Sequence, residues 1–392
     1  HMHGMFALAL CDEDEQKLFC LRDPFGTNPF YYYETEEGHL LYGTTIRKIM
    51  DQPGFVKKLN EEMLQLYLSL TYVAGENTFF RGLRKLMPGH YLIWQDGRLK
   101  IERYWTPEFH PDYSKSLEDW ADEIHGTLQA IMSEVKSEDE TAESFLSGGV
   151  DSSYVLAMSD VQMSDSCGYE EERFDESGLA RQTAEILGRK NSRCLITPEE
   201  YFEIVPYVMY NMEQPLGDAS AIAFAIACRA TAEHAKLCYS GEGADEFFGG
   251  YNMYRNAERY GENLKTFYVG NTNIMKEDEK KRILKKYDPD VLPIELVERI
   301  YEETEGLDPL TKMSDVDIQI WLEGDIYLQV DKMSTAAGLE IRMPLTERRI
   351  FDIASRLPVK YKVNDEQNKV AFRTEAAKGL TEETAFREKA RF

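Results

Sequence analysis

The chain has 392 residues, 43% of them hydrophobic and 12% aromatic, enough for more than one packed core and for two or three domains. Its formal net charge of −25 argues against a nucleic-acid partner, because phosphate backbones repel an acidic surface. No apolar run approaches the ~20 residues of a membrane span, and the six cysteines lack disulfide or zinc spacing, so no membrane partner and a reduced, cytoplasmic protein with buried thiols are expected.

In chain order, residues 5–11 and 17–21 flank a polar turn and read as a hairpin, and 30–33 and 40–42 follow as short strands. Residues 59–70 have helical spacing, with Asn60 as a candidate cap. Residues 90–94 and 99–104 pair about Asp96-Gly97, a dipeptide that suits a tight hairpin turn. The stretch 107–115 is rich in Pro, Asp, Ser and His and reads as a linker, dividing the chain at 1–106 and 116–392. A helix is expected over 117–135, ended by the acidic stretch 136–143. From Ser144 the pattern of strand, glycine loop and helix repeats, which implies a parallel sheet with helices outside it. The highly charged stretch 262–305 reads as exposed helix.

The strongest signal is Ser144-Phe145-Leu146-Ser147-Gly148-Gly149-Val150-Asp151-Ser152-Ser153, a strand running through small residues into a helix. Glycines let backbone N–H groups converge on an anion, the helix start adds favourable partial charge, and Ser147, Ser152 and Ser153 add hydroxyl donors. No Gly-Lys-Ser/Thr ending is present, so this is not the common nucleotide loop. A bare glycine turn with a serine cap is the plainer reading; the full string between strand and helix favours a phosphate loop. The charge of Asp151 would repel a phosphate unless a hard cation such as magnesium bridges them. A second carboxylate is then needed, and Ser240-Gly241-Glu242-Gly243-Ala244-Asp245-Glu246, after a second strand, supplies Asp245.

These paired glycine strings resemble those of glutamine-dependent asparagine synthetases. So do Phe174-Asp175-Glu176-Ser177, residues 212–220, Asp331-Lys332-Met333-Ser334, residues 338–342 and Lys369-Val370-Ala371-Phe372-Arg373. The resemblance covers nearly the whole chain. It implies an α/β protein: part of an N-terminal nucleophile-type glutaminase, then a parallel-sheet ATP pyrophosphatase-type synthetase domain. It implies that Ser147, Gly148, Gly149, Asp151, Ser152 and Ser153 hold the phosphates of ATP. Leu146, Ser240, Gly241 and Cys167 would hold the adenosine, and Asp151 and Asp245 would hold Mg2+. Glu242 and Lys369 match catalytic positions, a proton acceptor and a charge facing the reacting phosphate. On sequence alone Lys369 would be a solvated helix residue and Cys167 a buried small side chain. Asp218 and Ser220 are the candidates for reading an amino-acid substrate. Arg342 and Arg373 read as structural ion-pair residues.

The implied reaction adenylates aspartate with ATP, and ammonia then gives asparagine, AMP and pyrophosphate. The resemblance also suggests a homodimer. The family's N-terminal catalytic cysteine has no counterpart before Cys11, and the far end resembles a stretch that the family continues. The chain as written is therefore expected not to hydrolyse glutamine, which would supply the ammonia in a longer parent. Val150 stands where leucine is common, and Pro344-Leu345-Thr346-Glu347 replaces a Pro-Phe-Leu-Asp, which leaves any role for that aspartate open. The alternatives are a β-lactam-forming or peptide-cyclising relative, and a non-catalytic nucleotide-binding remnant.

Overall fold

A computed structural model describes residues 2–136 and 141–388. The N-terminal part carries two antiparallel sheets. One has the order β1 (Ala7–Asp12), β2 (Lys17–Arg22), β6 (His90–Gln95), β7 (Arg98–Arg103); the other runs β4 (Leu40–Gly43), β3 (Tyr31–Glu34), β5 (Arg84–Lys85). Strand alternation does the packing: Tyr32 joins Leu18, Cys20 and Leu92 between the sheets, while Tyr31 and Tyr33 point the other way onto Ile46 and Ile49. Asp96 and Gly97 both take positive φ, +52° and +68°, as a tight hairpin turn demands.

Helix Leu117–Glu134 opens on a complete capping box, Ser116 with Asp119. The five-stranded sheet that follows is wholly parallel, in the order β10 (Lys190–Ile196), β9 (Met163–Tyr169), β8 (Glu143–Phe145), β11 (Leu237–Tyr239), β12 (Glu340–Arg342). Covered on both faces, β11 is buried along its length, Leu237, Cys238 and Tyr239. Chain order runs outward from β8 to β9 and β10, then returns to the other side of β8 for β11 and β12. The crevice beyond the carboxyl ends of β8 and β11 is thus a topological switch point, where open α/β sheets bind ligands.

Several expectations need correction. Asn60 stands at a helix N-cap but makes no side-chain capping bond. The stretch 262–305 forms short separated helices, and they are not simply exposed: Leu264, Tyr268, Val297 and Ile300 are core residues, and Lys280 is fully buried with its Nζ 2.9 Å from Ser69 Oγ. Of the acidic stretch 136–143, residues 137–140 lie outside the described residues, and Glu143 belongs to β8 and is buried. Cys11 is exposed and Cys167 and Cys194 are half-buried, so not all thiols are core groups.

The two parts share one core, since Phe25, Leu70, Tyr72 and Ala74 pack with the apolar residues of the parallel-sheet region. A π-helical segment, Asp317–Ile326, carries Trp321 against Tyr72, ring centroids 5.4 Å apart. No helix among the described residues is long and apolar enough to cross a membrane.

Candidate functional site

The first glycine loop leaves β8 under restraint. Leu146 is buried, and its N–H donates to Asp165 O at 2.8 Å across to β9. Ser147 N donates to Ser152 Oγ at 3.1 Å, and the two hydroxyl oxygens lie 3.0 Å apart. Gly149 N turns back to Ser147 Oγ at 3.3 Å. Gly149 is also the N-cap of helix Val150–Met158, so the helix presents its unpaired first-turn N–H groups where the loop turns. Ser153 is buried, and its Oγ has no hydrogen-bond partner among the described residues. Arg387 Nη1 donates to Gly148 O at 2.7 Å, tying the loop to the end of the described chain.

The second loop lies against the first. Register pairs Tyr239 with Ser144, and Ser240 N donates to Arg342 O at 2.9 Å on the far side. Gly241 is required by contact: a β-carbon there would stand 2.7 Å from Ser152 N. Glu242 is half-exposed, with Oε1 3.4 Å from Ser240 Oγ.

The two loops meet on Lys369. Its Nζ lies 2.5 Å from Asp151 Oδ2 and 2.6 Å from Asp245 Oδ1, with the side chain 3% exposed. Lys369 is the N-cap of helix Val370–Gly379 and takes a left-handed backbone, φ +55° and ψ +39°. That conformation is costly for a residue with a β-carbon, and such strain concentrates at working sites. Neighbours hold it: Arg373 Nε donates to Asn368 O at 2.9 Å, and Asn368 Nδ2 donates to Gly250 O at 2.8 Å. Gly250 leaves room for the pair itself, since a β-carbon would fall 1.8 Å from Asp245 Oδ1 and 2.2 Å from Lys369 Cε. Next to Asp245, burial and then the Asp245 charge push the Glu246 carboxyl well above the usual carboxylate range, and Tyr251 donates to it at 2.6 Å.

The buried Arg373 guanidinium is a second positive charge acting on both carboxylates, so the cluster is close to balanced. Hard oxygen donors from two strand ends, beside backbone N–H groups and hydroxyls, fit a magnesium–phosphate ligand at the switch point. Leu146, Ser147, Gly148, Gly149, Asp151, Ser152, Ser153, Ser240, Gly241, Glu242, Asp245 and Lys369 are all brought to this one region.

The remaining sequence candidates stand on neighbouring elements. Cys167 sits on β9 opposite Cys194 of β10. Contact with Cys194, together with burial, raises the Cys167 thiol beyond ionisation near neutral pH, so it offers a neutral wall. Asp218 and Ser220 stand at the start of helix Ser220–Ala232, where Ser220 N donates to Asp218 Oδ1 at 2.8 Å and Ser220 Oγ to Gln329 Oε1 at 3.2 Å. Burial and then the Asp218 charge raise the Asp325 carboxyl nearby. Arg342 and Arg373 serve structure: Arg342 Nη1 donates to Val135 O at 2.6 Å and Arg373 Nη1 to Ala385 O at 2.6 Å. Glu347 caps helix Arg348–Ala354 through Arg349 N at 2.9 Å.

Two motif matches belong to the contact between the parts. Lys332 Nζ lies 2.6 Å from Glu213 Oε2, and Glu213 accepts from Ile46 N at 3.0 Å and Arg47 N at 2.9 Å. Asn28 Nδ2 donates to Asp331 at 3.1 Å. Sequence reasoning missed Arg387, Asn368 and Gly250 as supports. For Gly250 the signal was present in the doubled glycine after Phe248.

The family model described as asparagine synthase matches residues 123–392, and one described as glutamine amidotransferase domain matches residues 1–105. The chain is 31% identical to asparagine synthetase [glutamine-hydrolyzing] 1 of Bacillus subtilis, over 97% of this chain and 66% of that protein. It is 29% identical to a putative asparagine synthetase [glutamine-hydrolyzing] of Mycobacterium tuberculosis, over 95% and 64%. An amidase of Gibberella zeae, chry2, is 28% identical over 65% of this chain and 41% of its own length. The chain thus spans about two thirds of the length of the curated synthetases it matches.

Proposed function

Since the chain belongs to the asparagine synthase family, we propose that it forms an amide from a carboxylate in two steps driven by ATP. In the first, a side-chain carboxylate oxygen of aspartate attacks the α-phosphorus, and pyrophosphate leaves. In the second, ammonia attacks the acyl carbon of β-aspartyl-AMP, the C–O bond to the adenylate breaks, and asparagine and AMP are released. The observation that carries this reading is Lys369 held between Asp151 and Asp245 where two glycine loops touch.

The clustering around the two glycine loops supports the following roles. Backbone N–H groups at Gly148 and Gly149, with Ser147, Ser152 and Ser153, hold the leaving pyrophosphate. Lys369 places a fixed charge against negative charge developing on the reacting phosphate and carbonyl. Glu242 takes the proton that the ammonia nitrogen sheds after attack. Leu146, Ser240, Gly241 and Cys167 line the adenosine, and Asp218 and Ser220 contact the amino acid. Asp151 and Asp245 would hold Mg2+, which neutralises phosphate charge when bound.

The reading divides the chain into an amidotransferase-type domain, 1–106, and a synthetase domain, 116–392, with ammonia as the nitrogen donor and glutamine its source in the glutamine-hydrolyzing relatives. It includes a cytoplasmic homodimer, which light scattering checks for mass. The test of function supplies aspartate, ATP and ammonium and identifies products by mass spectrometry. Asparagine, AMP and pyrophosphate in equal amounts are expected. AMP released with no asparagine would sink the aspartate reading, and ATP binding without pyrophosphate release would sink catalysis altogether.

A further inference from the structure

Away from the glycine loops, the parallel sheet contains a polar cluster where a strand covered on both faces would ordinarily be apolar. Glu143 opens β8, Asp165 lies on the neighbouring β9, and His234 follows helix Ser220–Ala232. His234 Nε2 is 3.2 Å from Glu143 Oε2 and 3.6 Å from Asp165 Oδ1, and the three donor atoms lie within 4.8 Å of one another. The Glu143 and Asp165 side chains are 7% and 11% exposed, while His234 is 41% exposed. Thr231 Oγ1 donates to the other Asp165 oxygen at 2.9 Å, which fixes that carboxylate from behind. Among the described residues, Glu143 Oε2 is buried and meets only the imidazole nitrogen and the neighbouring Asp165 carboxyl.

Three ligand-type atoms from three separate segments therefore face one point, and one of them is a buried carboxylate oxygen. Two carboxylates side by side in the interior require either a cation or a shared proton. The two short separations bracket the edge of a tetrahedron with ~2.0 Å metal–ligand bonds, about 3.3 Å. Magnesium and calcium prefer all-oxygen shells of six or more, whereas one imidazole and two carboxylates suit a zinc-type ion. The exposed side of His234 leaves an approach for a fourth, water ligand.

We propose that Glu143, Asp165 and His234 form a structural site for a divalent zinc-type cation, separate from the nucleotide site. The ion would clamp β8 and β9 to the end of the covering helix. It would also steady Asp165, whose backbone carbonyl accepts the N–H of Leu146 just before the first glycine loop.

The test strips the full chain with a chelator, in a His1→Gln, His3→Gln background that removes the N-terminal imidazoles as ligands. Zn2+ alone is titrated by calorimetry, and Co2+ is followed by visible absorption. One equivalent of Zn2+ with a tetrahedral Co2+ spectrum is expected, weakened at least tenfold by Glu143→Gln and by His234→Gln. His234 is half-exposed, so its replacement tests the ligand set without emptying the core. Combined Asp151→Asn and Asp245→Asn should leave this binding within twofold. The proposal falls if the stripped chain binds no Zn2+, which would leave the carboxylates sharing a proton. It also falls if binding survives His234→Gln, or is lost with Asp151 and Asp245.

Discussion

At the carboxyl edge of the parallel sheet, one cation, Lys369, stands between two carboxylates, Asp151 and Asp245. Where the N-terminal sheets meet the π-helical segment, one carboxylate, Glu323, stands between two cations, Arg22 at 3.0 Å and Lys85 at 2.6 Å. Lys369 and all three members of the Glu323 cluster are buried, whereas Asp151 and Asp245 are 21% and 18% exposed. At Glu323 the surplus positive charge is absorbed inside the chain: Arg22 also donates to Asn28 O, Leu86 O and Gly26 O at 2.7, 2.7 and 2.8 Å, and Lys85 to Val73 O at 2.9 Å. Burial works to raise the Glu323 carboxyl, but Lys85 and Arg22 outweigh it and hold it below the usual carboxylate range. Lys369 instead sits on a strained backbone beside two glycine loops, and its two carboxylates are partly exposed there, where a ligand can reach them. The Glu323 cluster is closed inside the chain, and the Lys369 cluster opens onto the two glycine loops.

The sharpest way to break this contrast is Glu323→Gln. It leaves two buried cations without their counter-charge, and a loss of about 3–5 kcal/mol is expected. Urea unfolding followed by tryptophan fluorescence reads it as a lowered midpoint. Unchanged stability with reduced turnover would transfer Glu323 to the functional class. Lys369→Met should do the reverse, lowering pyrophosphate release by about 10²–10³-fold while the chain stays folded. Activity within a few-fold of the parent would make Lys369 a mere tether between the loops. Gly250→Ala sharpens the same point without touching a charge. Its β-carbon would collide with Asp245 and Lys369, so turnover should fall about 10–100-fold. The accompanying loss of stability should stay near 1–3 kcal/mol.

The contrast explains what could be read from the sequence. The loops around Gly148 and Gly241 were legible because their chemistry is written in consecutive residues, each after a short strand. Lys369 was legible only through its motif, since nothing in Lys369-Val370-Ala371-Phe372-Arg373 says that the lysine is buried or left-handed. The Glu323 cluster was invisible: Arg22, Lys85 and Glu323 are distant in sequence and each looks like a surface charge. Glu143 was read as part of an acidic tail to the preceding helix, and only strand register sets it near Asp165. Lys280 was assigned to an exposed helix because charge dominates its surroundings, yet Ser69 Oγ and Glu277 satisfy its ammonium in the interior.

A third buried carboxylate extends the comparison to a site where hydroxyl donors replace ion-pair cations. Asp317 begins the π-helical segment that carries Glu323, and Tyr254 and Tyr268 donate hydrogen bonds to it. Burial pushes its carboxyl from 3.8 up to about 7, with the tyrosine hydrogen bonds opposing. The unfolded chain loses this proton near pH 3.8, whereas the folded chain keeps it to about pH 7. Between those values the folded state binds more protons, so this group's stabilisation is full in acid and drains away as pH rises. The drain cannot exceed about 1.4 kcal/mol per pH unit for one group, and it should average about 1 kcal/mol per unit between about pH 5 and 7, where the folded carboxyl begins to ionise. Asp317→Asn, neutral at every pH, should flatten that part of the profile. Urea midpoints for both proteins across the range measure it. A parallel pair of profiles would mean that Asp317 stays ionised on folding, with the tyrosines doing for it what Arg22 and Lys85 do for Glu323.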